Sequence, residues 1–307
     1  MEHVQVLIAG GGIGGLSAAI WCQRLGLSCL LVEKTEQLGG QLLQIRNEIV
    51  DFPPRVYSNG ADLLGELVLH PAIRDLQPRL GEAVVSIDSH AQIVTTTKAA
   101  YHAQFLIVAT GVSPNVIPSL QGCPRVLTAE FSTTAHASSV AGQDIAIVGG
   151  GDRALESAFN LGRFANRVDL LIRSDHLRAR PEWTRRLEEF PHLRVFWETE
   201  IETYEPRNGK IALKLRSRHA AQPAEIVVDW ILPRIGVHGN SADFPMLTTF
   251  GDAYLKTDEC QRTCCDWVYA LGDVSNGASY ASLSLAAGQA MKAVKHISLQ
   301  IQQDESS

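Results

Sequence analysis

Two glycine clusters, one acid, a few arginines and three crowded cysteines are the residues of this 307-residue chain best suited to chemistry. The first cluster is Gly10-Gly11-Gly12-Ile13-Gly14-Gly15, with Glu33 about twenty residues on. In the pattern G-x-G-x-x-G, Gly10 allows a tight turn, Gly12 lets backbone approach a pyrophosphate and Gly15 lets helix pack on strand. An acid at the spacing of Glu33 can take ribose hydroxyls. The second cluster, Gly149-Gly150-Gly151-Asp152-Arg153-Ala154, begins 139 residues after the first. There Ile172 stands in the acid's place, followed by Arg173 and Arg178. That exchange suits a ribose bearing a 2′-phosphate, which a carboxylate repels and a guanidinium binds as a fork. Cys260, Cys264 and Cys265 lie close together around Arg262, which could lower a thiol pKa.

Strands and helices must hold these loops in place. Residues 4–9 are an apolar run short enough for a buried strand, 16–22 read as a helix, and 28–32 read as a second strand ending at Glu33. The first glycines therefore sit between strand and helix, where free N–H groups and a partial positive charge meet phosphates. The order returns with a strand at 144–148, a helix to Phe164 and a strand at 167–172. One fold used twice predicts two dinucleotide sites. Between and beyond the copies, Asn59-Gly60-Ala61-Asp62 opens a helical pattern to Leu69, and 81–87 and 92–98 alternate like antiparallel strands. Residues 105–111 are another buried strand, and 113–142, rich in Pro, Ser, Thr and Ala, read as a linker with some local helix. Alternating strands recur near 194–198, 211–216 and 226–232. A strand from Trp267 closes on Gly272-Asp273, a helix spans about 282–300, and the polar tail from Gln302 is expected to fray.

A hydrophobic content of 45% with 20% charged residues describes a globular protein with room for two domains. The net charge of −6 offers no general attraction to nucleic acid or anionic membrane. No apolar run approaches the roughly 18 residues of a membrane span, and Glu2 stands where a signal peptide would be basic. The expectation is a cytoplasmic protein. Cys22 and Cys29 lie on apolar faces as small core residues, and the cysteine spacing does not suit a metal.

Taken together, Gly10 to Gly15, Glu33, Gly39-Gly40-Gln41-Leu42, Ala109-Thr110-Gly111, Gly149 to Ala154 and Gly272-Asp273-Val274 resemble the low-molecular-weight thioredoxin-reductase-like FAD flavoproteins. The resemblance covers nearly the whole chain. It implies an α/β fold of two Rossmann-like, doubly wound, three-layer dinucleotide-binding domains. The FAD domain is discontinuous, 1–113 and 242–307, and encloses a pyridine-nucleotide domain at 114–241, usually in a homodimer. It implies that Gly10, Gly12, Ile13, Gly14, Gly15, Glu33 and Lys34 hold the adenosine half of FAD and that Val84 meets the adenine through its backbone. Gly40, Gln41, Leu42, Asp51, Thr110, Gly111, Gly272 and Asp273 then lie along the flavin side. Gly149, Gly151, Asp152, Arg153, Ala154, Arg173 and Arg178 take NADPH or NADH.

Two departures stand out. Where thioredoxin reductases carry Cys-x-x-Cys, ahead of the second glycine loop, this chain reads Ser132-Thr133-Thr134-Ala135. A hydroxyl carries no electrons, so the usual route to thioredoxin is closed. The family's His-Arg-Arg-x-x-x-Arg reads Ile172-Arg173-Ser174-Asp175-His176-Leu177-Arg178. The segment Gly236-Val237-His238-Gly239-Asn240 is similar instead to thioredoxin-reductase-like ferredoxin–NADP reductases, which lack the dithiol. The expectation is an FAD-dependent oxidoreductase moving electrons from a reduced nucleotide to a ferredoxin-like or thioredoxin-like protein, a small disulfide or a quinone. The alternatives are a disulfide oxidoreductase using Cys260, Cys264 and Cys265, a protein holding a second FAD at the second loop, and a non-catalytic flavin redox sensor.

Overall fold

A computed structural model describes residues 1–128, 131–190, 193–218 and 222–305. The chain divides into two compact units, Met1–Ser113 with Val237–Ser307, and Pro114–Gly236. The return crossing thus falls at Gly236 rather than at 241.

The first unit opens with β1 (Glu2–Ala9), α1 (Ile13–Arg24) and β2 (Cys29–Glu33). Val6, Leu7 and Ile8 are fully buried, which explains a continuous apolar run on a central parallel strand covered on both faces. The helix α2 (Gly60–Leu69) is capped by Asn59, whose side chain accepts the Asp62 N–H, and α3 (Pro71–Arg74) follows. Then come β3 (Arg79–Leu80), β4 (Val84–Asp88), β5 (Ile93–Thr96) and β6 (Ala100–Val108). The sheet runs β3-β2-β1-β6-β5-β4, with β4 and β5 antiparallel. β7 (Val112–Pro114) leads out of the unit.

The second unit repeats the opening theme with β8 (Asp144–Val148), α4 (Asp152–Gly162) and β9 (Arg167–Leu171). After α5 (Pro181–Arg185) come β10 (Leu193–Phe196), β11 (Thr199–Arg207), β12 (Lys210–Ser217), β13 (Glu225–Val228) and β14 (Trp230–Pro233). The parallel sheet has the order β10-β9-β8-β14, and β11-β12-β13 form an antiparallel sheet. The run 226–232, read as one strand, is split at Asp229. Its carboxylate accepts the Asp144 N–H and the Lys210 ammonium, turning the chain from one sheet into the other. The described residues of 113–142 are packed into this unit rather than strung out as a linker. Leu120, Cys123, Ala137 and Val140 are buried in the cores of this unit, and Val126 bridges to Ile231.

The chain returns to the first unit through β15 (Val237–Gly239), β16 (Thr249–Phe250) and β17 (Tyr254–Leu255). β18 (Val268–Ala270) joins β6 in parallel along Leu106–Val108, completing a seven-stranded sheet. α6 (Asp273–Asn276) and α7 (Leu283–Glu305) close the unit, α7 packing on α1. The tail expected to fray from Gln302 stays helical to Glu305. Ala290, Ala293, Val294, Ile297 and Ile301 recur at helical spacing on one buried face and hold the last turns in place.

Candidate functional site

The first glycine loop is shaped by close backbone approaches. Gly10 has φ +113°, and a Cβ there would lie 2.4 Å from the Ala109 carbonyl oxygen. A Cβ on Gly15 would lie 1.9 Å from the Gly10 carbonyl oxygen. Gly12, the N-cap of α1, is different: a Cβ would meet only Gly39 O at 4.0 Å. The N-terminus of α1 therefore opens onto free space bordered by N–H groups, a cradle that fits a pyrophosphate. Ile13 and Gly14 form the first helical turn. Glu33 is buried, with one carboxylate oxygen accepting the Gly11 N–H at 2.6 Å and the other accepting the Thr35 N–H and hydroxyl. The carboxylate fixes the glycine loop to the end of β2 and keeps lone pairs for a ribose.

Gly10, Glu33, Lys34, Val84 and Thr110 line one cavity. Glu82, Asn240, Asp243 and Phe244 are among the other residues that line it, and the sequence did not single them out. Asn240 arrives from 130 positions away and clasps Thr110 reciprocally. Its amide donates to Thr110 O, and the Thr110 hydroxyl donates to Asn240 O. The buried Glu82 accepts the hydroxyls of Thr96 and Tyr101. Burial, aided by Glu82, pushes the Tyr101 hydroxyl up to about 12.

A second group lies around Asp273. The Gln41 amide donates to its carboxylate at 2.9 Å, and burial raises the Asp273 pKa against that bond. Gln289 accepts the Gly272 N–H and donates to Asn276 Oδ1, while Asn276 Nδ2 is buried without a partner. An orphaned donor beside the Gly-Asp turn fits a ligand acceptor there. A Cβ on Gly111 would lie 3.6 Å from the Gln41 amide nitrogen, so Gly111 belongs to this group, and Gly40 lies against Gly12. Leu42 turns its side chain into a small core with Ile49, Tyr57 and Leu63, leaving only backbone to a ligand. Asp51 is exposed, and its carbonyl holds the Ser284 hydroxyl.

The second loop reproduces the first with different chemistry. The Gly39 N–H donates to Gly11 O at 2.8 Å, and 139 residues later the Arg178 N–H donates to Gly150 O at 2.8 Å. A Cβ on Gly151 meets nothing within 4 Å, so this helix start is open as well. Asp152 is bound by Arg180, whose backbone N–H and guanidinium reach its two carboxylate oxygens at 2.7 and 2.8 Å. Ala154 is buried behind the loop, and Ile172 is buried where Glu33 sits in the first copy. Arg153, Arg173 and Arg178 are exposed and, among the described residues, have no carboxylate within 4.0 Å. Three exposed guanidiniums in the segments that begin and follow this repeat have the charge to suit a polyanion. The stretch 132–135 is a turn in which Ser132 Oγ accepts the Ala135 N–H and Thr133 is buried.

The cysteine segment turns back on the last strand of the sheet. Residues 261–263 form a hairpin with β18, in which Ala270 N–H donates to Gln261 O and Thr263 N–H to Val268 O. Cys264 and Cys265 sit at the turn, but Cys260 is carried back level with the strand's carboxyl end. Cys264 is exposed, and hydrogen bonds from Thr248 lower its pKa, whereas burial raises that of Cys265. Arg262 is engaged by Asp258 and Asp266, so it is not free to activate a thiol. Cys22 is buried as expected, and Cys29 is half-buried.

Among the described residues no helix is long and apolar enough to cross a membrane. A family model described as pyridine nucleotide-disulphide oxidoreductase matches residues 4–296. A thioredoxin reductase of Peptoclostridium acidaminophilum is 28% identical over 289 residues, covering 89% of this chain and 90% of its own. A ferredoxin–NADP reductase of Oenococcus oeni is 27% identical, covering 89% and 83%. The crystal structure of T. acidophilum thioredoxin reductase matches with a TM-score of 0.78 at 19% identity over 100% of both chains, a likeness of fold.

Proposed function

The chain belongs to the pyridine nucleotide-disulphide oxidoreductase family and is an FAD-dependent NAD(P)H oxidoreductase, and within that activity we propose that it passes electrons from NADPH through FAD to a separate acceptor with no dithiol of its own. The observation that carries this reading is the contrast between its two copies of one loop. In the first, a buried Glu33 ends the second strand, where it can take a ribose, and glycines stand at 39 and 40. In the second, Ile172 replaces the acid and unpaired Arg173 and Arg178 stand ready for a 2′-phosphate. Arg178 and Ala179 also replace Gly39 and Gly40, and Arg180 is tied across to Asp152, which favours NADPH over a second flavin.

Bound FAD would supply the hydride-accepting redox chemistry. The N–H groups at the start of α1 hold its pyrophosphate, and Glu33 orients the adenosine ribose while stiffening the loop. Gln41 fixes Asp273, and Gln289 fixes Gly272, so that the Gly-Asp turn presents the Asn276 donor in one orientation. Cys-x-x-Cys spacing occurs nowhere in the chain and Ser132 to Ala135 stand where it is expected, which supports electron transfer by direct contact with the acceptor. That acceptor is a ferredoxin-like or thioredoxin-like protein, a small disulfide or a quinone. The test is to count flavin per chain, then add NADPH or NADH without oxygen and follow the visible flavin band. Rapid bleaching by NADPH at lower concentration than NADH is expected. No bleaching by either, or two flavins per chain, would overturn the proposal.

A further inference from the structure

The second unit keeps a semi-buried cation that the reading above does not use. Arg234 directly follows β14, and its backbone closes on the end of β8: a Cβ on Gly149 would lie 2.2 Å from Arg234 O. β9 and β10 lie on one side of β8 and β14 on the other, so the strand order reverses between β8 and β14. In open parallel sheets the crevice beyond such a reversal is where dinucleotides lie. The Arg234 guanidinium, on the residue that follows β14, is fixed by three bonds: Nε to Ser157 Oγ at 3.1 Å, and the two Nη atoms to Phe131 O at 3.0 Å and Pro233 O at 3.3 Å. None of these acceptors is charged, and among the described residues no carboxylate lies within 4.0 Å. The charged groups that act on it are Arg153 and Glu156. Burial first, then Arg153, bring its pKa down to about 10, so it remains a cation at neutral pH.

Its place along a bound nucleotide follows from the sheet. Residues 172–178, beyond β9, take the adenosine side, and the loop from Gly149 takes the pyrophosphate. Only the β14 side is left for the nicotinamide. We propose that Arg234 makes this site discriminate between the two redox forms of the nucleotide, binding the reduced form in preference to the oxidised one. The inference rests on the pyridine-nucleotide reading of this unit. The two forms differ in a ring that is neutral when reduced and positively charged when oxidised. A fixed guanidinium with no carboxylate within 4.0 Å among the described residues, and Glu156 acting on it only from farther off, leaves binding of the first intact and opposes the second. At an effective dielectric of about 20, like charges even about 10 Å apart repel enough to change affinity on the order of tenfold. Such a bias expels spent nucleotide and keeps the site available to its donor.

The test is equilibrium binding to the oxidised holoenzyme of three ligands that cannot react with it: NADP⁺, tetrahydro-NADPH with its neutral ring, and 2′-phospho-ADP-ribose with no nicotinamide. Wild type is expected to prefer tetrahydro-NADPH over NADP⁺ by on the order of tenfold. Arg234→Gln should bring the two toward parity by tightening NADP⁺, leaving 2′-phospho-ADP-ribose unchanged, and Arg234→Lys should keep the preference. An unchanged preference in Arg234→Gln, or no preference in wild type, overturns the proposal. So does an equal loss of 2′-phospho-ADP-ribose and tetrahydro-NADPH in Arg234→Gln, which would place the arginine on the phosphates. If wild type binds none of the three, the pyridine-nucleotide reading itself falls.

Discussion

Replacing Gly12 by valine separates folding from cofactor retention. A Cβ at this position meets only Gly39 O at 4.0 Å, and the N-cap backbone is ordinary at φ −78°, so the empty loop accommodates the side chain. The cost to the fold is that of a poor N-cap, about 1 kcal/mol. The same side chain occupies the space a pyrophosphate needs. Losing two charge-assisted N–H bonds at about 1.5–3 kcal/mol each removes ~3–6 kcal/mol of binding, roughly a hundredfold to ten-thousandfold in affinity. Gly15→Ala makes the opposite comparison, because its Cβ would lie 1.9 Å from Gly10 O and the backbone itself must move, costing upward of ~3 kcal/mol. Flavin released per chain and urea unfolding of the flavin-free protein read the two effects. Gly12→Val should be colourless and stable, Gly15→Ala unstable, and Gly151→Val yellow but unable to be bleached by NADPH. A Gly12→Val protein that purifies with a full complement of flavin would refute the placement of the cradle.

Glu33→Ala should destabilise the chain by about 2–3 kcal/mol, because it leaves the Gly11 N–H buried without an acceptor, and denaturant titration without flavin checks this. Asp273→Asn should make the flavin-free protein more stable at neutral pH while weakening flavin retention. Burial raises the folded-state pKa of Asp273, so its ionisation opposes folding above that pKa, and the advantage of asparagine should vanish as pH falls below the ordinary aspartate range. Cys264 should be alkylated by iodoacetamide before Cys265 at neutral pH, as peptide mass spectrometry after brief labelling would show. Cys264→Ser should leave turnover with NADPH unchanged, and loss of turnover would restore a disulfide mechanism.

Much of the site is legible in the chain because its parts are local. Gly10, Gly12 and Gly15 act within one strand–turn–helix step, and Glu33 ends the next strand, so spacing alone brings them together. The arginines after Ile172 follow by the same logic, since the second loop copies the first. Asn240, Asp243 and Phe244 were not legible, because they reach the cavity only when the chain returns from the second unit. Glu82 is a lone acid on the surface pattern, and only folding places the Thr96 and Tyr101 hydroxyls on it. The run 226–232 looks like one strand because both halves are apolar, and the break at Asp229 depends on Lys210 and Asp144, which sequence spacing does not connect. Residues 113–142 look like a linker because their apolar positions follow neither a helical nor a strand period, yet Leu120 and Val140 are buried all the same.

The strand order of the first unit also constrains how the protein is made. A ribosome delivers β1 to β6 first, but β18 and α7, which complete that sheet and cover α1, emerge last. The second unit is contiguous and can be finished while the first still lacks an edge strand and a covering helix. The apolar back of α1 must therefore wait for the carboxyl end of the polypeptide, and loading of the prosthetic group becomes one of the final events of maturation.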